Sequence, residues 1–363
     1  MRALLRPVLR VLPFGSQRAF RDMQMNAPRK SGDASPLIHL NLIWFSAVMG
    51  LSGLALAWGR AATLMGPLAT HVSAGIALLA TAVWLALAMA TLARLRRYPG
   101  VVAVDARHPV RHAFVATIPV GLLLLVALGV QFFGGIAALH GAWVLAALAQ
   151  LLVTLWVLGR WLHEHQDGAP PMWVGITPAL FIPVVGNVVA PLAGLALGHT
   201  TWSLAQLAIG VFFWPLVLVL VLVRRAAHSA LPARMLMAWF ITVAPPSVVG
   251  VVSVQLAVPL GWSIALWGVA LFSLLWAAQV VRRALEVPFH MGYWGVSFPL
   301  AAFTSLSLML AERDVASWMP TVALLGLALS TLVIGWLVVS TLKGLHRGTL
   351  LVAEPEPARL PPA

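Results

Sequence analysis

The stretch HAFVATIPVGLLLLVALGVQFFGGIAALHGAWVLAALAQLLVTLWVLG, residues 112–159, contains no Asp, Glu, Lys or Arg. A membrane-spanning helix needs about 20 mostly apolar residues at 1.5 Å rise each. The stretch is therefore long enough for two spans, and Gly134-Gly135 near its middle marks the turn between them. Working outward, six more segments lack all four charged residue types: 34–59, 61–93, 168–223, 235–281, 287–311 and 315–342. Segments 168–223 and 235–281 are again long enough for a pair of helices, and the other four hold one each, so the chain is predicted to cross the membrane ten times.

Composition leaves few other classes open. Hydrophobic residues make up 61% of the chain and charged residues 9%, a balance that would leave a soluble globule with an adhesive surface. Long unbroken apolar runs, rather than alternation at every second residue, exclude a membrane barrel. The first 30 residues hold Arg2, Arg6, Arg10, Arg18, Arg21 and Arg29 and lack the apolar core of a secretory signal. They read as a cytoplasmic arm lying near anionic lipid. Cysteine is absent, which removes disulfide and thiolate chemistry. The net charge of +13 reads as orientation bias in a membrane protein, not as affinity for nucleic acid. The expected layout is a basic arm at 1–36, a ten-helix domain at 37–343 and a Pro-rich cytoplasmic tail at 344–363.

Charge placement predicts the orientation. With ten spans both termini share a side. If that side is the cytoplasm, 21 of the 23 Lys and Arg residues lie inside, and only Arg60 and Arg313 lie outside. This follows the positive-inside rule and fits a multi-pass protein of a bacterial inner membrane. Outer turns are expected near Gly134-Gly135, near His199-Thr200-Thr201 and at Pro259-Leu260-Gly261. The helices then group as five hairpins, 37–95, 113–160, 175–224, 234–282 and 291–343.

The two helices of each hairpin differ. The first member carries the disruptors: Gly50 and Gly53, then Pro119 and Gly121, then Pro178, Pro183, Gly186, Pro191 and Gly194, then Pro245 and Pro246, then Gly295 and Pro299. Among the second members only the sixth helix has an interior proline, Pro215. Proline removes a backbone hydrogen bond and bends a helix, and in lipid the freed carbonyl must find a partner in protein or in a watered cavity. Kinks at Pro119, Pro183, Pro191, Pro245 and Pro299 therefore predict odd-numbered helices in an inner ring around a pore, with even-numbered helices as the outer wall.

No Asp, Glu, Lys or Arg falls inside a span, which disfavours proton coupling and favours a passive pore. The candidates to line it are polar residues on the odd helices: Ser46, Ser52, Thr117, Asn187, Thr242, Ser297, Thr304 and Ser305. A hydroxyl or amide can donate to an anion. Each hydroxyl can equally bond a carbonyl one turn back in its own helix, and both readings stand at this level. A neutral lumen binds weakly, so selectivity should follow dehydration cost, with nitrate passing more readily than chloride. His163, Glu164 and His165 lie together, but the two histidines are two residues apart and face different sides of a helix, which argues against a metal site. His39, His71, His140 and His199 read as interfacial residues at helix ends. Trp58, Trp161, Trp173, Trp202, Trp262 and Trp318 suit an aromatic belt. No nucleophile with a base and no phosphate-cradling loop is present, so no enzyme activity, cofactor or metal is expected.

TPALFIPVVGNVVAPLAGLALG (177–198), LPARMLMAWFITVAPPSVVG (231–250), GYWGVSFPLAAFTS (292–305), FSAVMGLSGLALAW (45–58) and HPVRHAF (108–114) resemble segments of the tellurite-resistance and dicarboxylate-transporter family. That family includes the TehA proteins and the slow anion channels of plant guard cells. The resemblance implies ten helices in five hairpins around a pore in each protomer, assembly as a homotrimer, and passage of small anions. It also implies that a phenylalanine on the ninth helix plugs the pore, a role that falls on Phe298 of the SFPL motif. Without the family, Phe298 would read as wall packing. The family also holds proton-coupled malate carriers and sulfite exporters. A secondary carrier of C4-dicarboxylate, sulfite or tellurite-related anions is therefore the alternative to a channel.

Overall fold

The computed structural model describes residues 35–162, 172–227 and 231–352. Among the described residues nine helices are long and apolar enough to cross a membrane. In chain order they are α1 (Leu42–Arg60), α2 (Pro67–Arg97), α3 (Arg111–Phe133), α4 (Ala137–Leu162), then α6 (Thr200–Ala227), α7 (Ala233–Gln255), α8 (Leu260–Ala278), α9 (Met291–Glu312) and α10 (Met319–His346). Between α4 and α6 lies a shorter apolar segment, α5 (Pro178–Gly194). The sequence predicts ten spans of full length. The fifth falls short because three prolines and two glycines divide it into a 3-10 turn, a π stretch over Phe181–Val185, a second 3-10 turn and one α turn. The chain is an all-α, multi-span membrane protein.

Burial divides the long helices into two sets. Most of the apolar window of α1, α3, α7 and α9 is buried, whereas α2, α4, α6, α8 and α10 are largely exposed. The segment α5 is buried along nearly its whole length. The exposed helices show Leu, Val, Phe and Trp outward, as a surface meeting lipid tails requires.

All the buried segments share a start that none of the exposed helices has. They open with 3-10 geometry, over Leu42–Phe45, Arg111–Ala116, Pro178–Leu180, Ala233–Val243 and Met291–Val296, and α1, α3, α7 and α9 then continue as α-helix. The prolines read as kinks stand mostly at this change of geometry. Pro119, Pro245 and Pro299 lie in the first turn of the α part that follows, and Pro191 opens the single α turn of α5. There proline's missing N–H and fixed φ cost least. Pro183 instead lies within the π stretch.

At the opposite end the turns are tight. Gly66, Gly134, Gly198, Ala257 and Asp314 carry positive φ there, one before each exposed helix. In the interior α1 and α9 approach closely. A methyl on Gly50 would collide with the side chain of Ser297, and one on Gly53 would stand 3.0 Å from Ala301 Cβ and 3.1 Å from Phe298 Cδ2. Indole N–H groups stitch exposed helices to buried ones: Trp58 donates to Thr331 (3.1 Å), Trp267 to Ser307 (2.9 Å) and Trp294 to Thr341 (2.9 Å). Such partners are needed where no water can serve. Trp202, Trp262 and Trp318 are exposed at or beside the starts of α6, α8 and α10.

Candidate ion pathway

The buried segments enclose a cavity of about 1310 Å³. Its rim lies at the Arg-rich end of the molecule, where Arg224, Arg234, Lys343 and Arg347 border it. Its wall is mostly apolar and includes Phe181, Trp294, Phe298 and Pro299 beside many aliphatic side chains. The 3-10 geometry of α7 explains part of the shape. Residues three apart eclipse in a 3-10 helix, so Met235, Ala238, Ile241 and Ala244 form one straight stripe down the wall. From α5 come Ile182, Val185, Val188 and Val189, on backbone that could not serve as a lipid-facing helix.

That irregular backbone is held from behind. Gln150 Nε2 on α4 donates to the carbonyls of Ile182 (3.3 Å) and Pro183 (3.1 Å). Thr154 Oγ1 donates to Pro183 O at 2.6 Å and accepts from Asn187 Nδ2 at 2.8 Å. Carbonyls left free by the irregular π and 3-10 geometry thus find partners on the neighbouring helix, as buried polar groups in hydrocarbon must. Gln150 and Thr154 went unremarked in the sequence. Their signal was two polar residues at i and i+4, on one face of an otherwise apolar helix.

A second feature absent from the sequence reading is an ionic knot at the rim. Asp105 pairs with Arg94 at 2.8 Å and with Arg111 at 3.0 Å. The Arg94 side chain is 4% exposed and also donates to Ile38 O (3.1 Å). The knot ties the end of α2 to the start of α3. Asp105 is the sole carboxylate between Asp33 and Glu164, and that isolation among arginines was the signal.

The residues singled out in the sequence fall into two groups. Ser46, Pro245, Phe298 and Pro299 border the cavity. Phe298 is buried, and its ring lies beside the bare backbone of Gly53. Four other hydroxyls bond carbonyls of the helices: Thr117 to Leu42 and Phe114, Thr242 to Trp239, Ser297 to Trp294, and Thr304 to Leu300 with Ser330 Oγ alongside at 2.8 Å. Asn187 faces Thr154 and Val184 O, behind the wall. Ser52 is buried with its hydroxyl unpartnered, and Ser305 is buried. Pro119, Pro183 and Pro191 are buried in α3 and α5. His140 Nδ1 and His199 Nε2 lie 3.1 Å apart, with Trp143 stacked on His199, so this pair of interfacial histidines forms a contact between α4 and the turn before α6. His163, Glu164 and His165 lie outside the described residues, and among the described residues no group of three potential metal ligands occurs.

A multi-span helical protein whose kinked segments enclose an uncharged corridor under a basic rim has the form of an anion transport protein. The sequence profile of the voltage-dependent anion channel family matches residues 39–342, and the chain belongs to that family. A tellurite resistance protein TehA homolog of Haemophilus influenzae is 26% identical over 317 residues, 84% of this chain and 90% of that protein. An uncharacterised transporter of Methanocaldococcus jannaschii is 25% identical over 298 residues, 73% of this chain and 81% of its own length. An S-type anion channel of Arabidopsis thaliana is 23% identical over 311 residues, 84% of this chain and 48% of the plant protein.

Proposed function

We propose that the protein is a passive channel for small monovalent anions, nitrate ahead of chloride, gated by Phe298, and not an enzyme. In this reading α1, α3, α5, α7 and α9 form the inner ring of five hairpins and the even helices face lipid. Both termini are cytoplasmic in a bacterial inner membrane, each protomer carries its own pore, and three protomers assemble.

One observation carries the proposal: a cavity bordered by Arg224, Arg234, Lys343 and Arg347 has a mostly apolar wall that includes the ring of Phe298. The rim raises the local concentration of anions. The neutral wall offers no deep binding site, and weak binding is what conduction needs. The ring of Phe298 obstructs the route and leaves it dry. Gly53 makes room for the ring, since any side chain there would press on it. Carrier behaviour would need a coupling group within the membrane, and the carboxylate and imidazoles that border the cavity, Asp105, His39, His108 and His290, all lie outside the apolar spans.

Planar-bilayer recording of the purified protein tests this. Phe298→Ala is expected to raise nitrate conductance about tenfold or more, with currents that reverse at the anion equilibrium potential. A well-folded Phe298→Ala protein that conducts no better than wild type would overturn the gate, and flux that follows a proton gradient would overturn the channel.

A further inference from the structure

We propose that His140 and His199 form a two-histidine site for a divalent transition metal ion, at the end of the molecule opposite the Arg-rich rim. The site lies apart from the cavity and does not depend on the channel reading.

His140 stands in the first turn of the regular part of α4, and His199 is the residue before α6. The turns that precede them, with Gly134 and Gly198 at positive φ, bring the two rings together across 59 residues of chain. His140 Nδ1 and His199 Nε2 are 3.1 Å apart, and the rings meet edge to face at 77°. Two imidazole nitrogens bound to one zinc ion at about 2.0 Å, with a tetrahedral angle between them, stand about 3.3 Å apart. A square-planar ion such as copper(II), at a similar bond length, brings them to about 2.8 Å. The observed separation falls between these two values, so a tilt of the rings is enough to aim both lone pairs at one ion.

Without an ion the two nitrogens share a hydrogen bond, one N–H donating to the other ring. Metal binding gives up that bond but strands no proton. The second nitrogens, His140 Nε2 and His199 Nδ1, make no hydrogen bond among the described residues, and neither is shut off from solvent. The shared proton moves to the second nitrogen of its own ring, where water accepts it, and both inner nitrogens are then free to ligate. The His199 ring is held in place beforehand. It stacks on Trp143 with centroids 4.5 Å apart and planes 4° from parallel, and Trp143 Nε1 donates to Ala190 O at 2.9 Å. The His199 backbone N–H donates to Gly194 O at 2.8 Å. Such preorganisation lowers the entropy cost of binding. The His140 ring is open on its other side: Gly135 has no side chain, and a methyl there would stand 3.5 Å from Nε2. That opening leaves room for the water ligands that complete the coordination shell. Two neutral imidazoles suit zinc, nickel and copper, and not magnesium or calcium, which take oxygen ligands. The bound ion ties the start of α4 to the connection between α5 and α6.

The test uses the full chain in detergent, without an added histidine tag. The midpoint of thermal unfolding is followed against zinc chloride, with magnesium chloride as the control. Zinc is expected to raise the midpoint saturably and magnesium to leave it unchanged. His140→Gln and His199→Gln should each raise the zinc concentration needed about tenfold or more. His71→Gln, and His163→Gln combined with His165→Gln, should leave the zinc response as in wild type. If His199→Gln does not fold once its stack on Trp143 is lost, His140→Gln carries the comparison. Electron paramagnetic resonance with one equivalent of copper(II) reads the ligands without reference to stability. Coupling to two imidazole nitrogens is expected in wild type and to one in His140→Gln. A zinc response no larger than that of magnesium, a response that His140→Gln leaves intact, or a copper spectrum without two-nitrogen coupling would overturn the site. Loss of the response on substituting His163 and His165 would place the metal elsewhere and overturn it equally.

Discussion

Helices α2 and α9 both pack against α1, yet 11% of the apolar window of α2 is buried and 94% of that of α9. The more buried helix is the less hydropathic of the two. In water that order would be reversed. In lipid it follows from the solvent: an exposed helix must be apolar to dissolve, while an enclosed one is freed from that demand and constrained by packing instead. Accordingly α9 carries Ser297, Thr304, Ser305 and Ser307 where it meets its neighbours, and α2 presents Leu68, Leu78, Leu85 and Met89 outward.

The contrast can be broken first where the two sets are tied together. Asp105→Asn removes the carboxylate that holds Arg94 of the exposed α2 to Arg111 of the buried α3, and leaves a guanidinium buried without its counter-charge. A loss of about 3 kcal/mol is expected, read as a lowered midpoint of thermal unfolding in detergent. An unchanged midpoint would mean that the knot is ornamental. Next comes the seam between α1 and α9. Gly50→Val forces its side chain onto Ser297 and should cost about 2 kcal/mol by overpacking, in the same assay. The expected tenfold gain in conductance of Phe298→Ala stands beside it as the functional test of the inner set.

Smaller effects are expected at the turns and on the outside. Ala257 holds a φ of 54° before α8, in the region where glycine is at ease. Ala257→Gly should therefore stabilise the fold, by about 0.5 to 1 kcal/mol, and a lowered unfolding midpoint would contradict the strain. A methyl added to Gly268 on the exposed α8 would meet nothing within 4 Å. Gly268→Ala should shift stability by no more than about 0.5 kcal/mol, and upward through helix propensity. A large penalty there would show that α8 faces another protein surface and not lipid, which is the sharpest cheap test of which side of that helix is covered.

How much of this was legible depends on the length scale of the signal. Spans were legible because a charged side chain in hydrocarbon is costly wherever it occurs, and the bounds of α3 and α4 follow from the charge-free run that Arg111 and Arg160 enclose. The sequence set α9, with Gly295 and Pro299, apart from α2, and the two differ in burial. The hydroxyls were not legible. Thr117, Thr242, Ser297 and Thr304 bond carbonyls and Ser46 borders the cavity, yet nothing local distinguishes Ser46 from Ser297. Asn187 reads in the sequence as a pore-lining residue, and its amide bonds Thr154 instead because α4 supplies a partner 33 residues away in the chain. The prolines were legible as disturbances but not as the 3-10 to α junctions at which most of them stand.

By itself the sequence determined that the chain lives in a membrane as helices and roughly where the long spans begin and end. Those outcomes depend on transfer free energies that belong to each residue type and to the length of a run. Which face of a buried helix looks into the cavity was decided only in the tertiary structure. The Met235, Ala238, Ile241, Ala244 stripe exists because α7 runs as a 3-10 helix for 11 residues, a length that such helices seldom reach. Phe298 meets the cavity because Gly53 of another helix leaves space for its ring. Helical phase and close approach are set by neighbours distant in the chain, and no window of residues contains them.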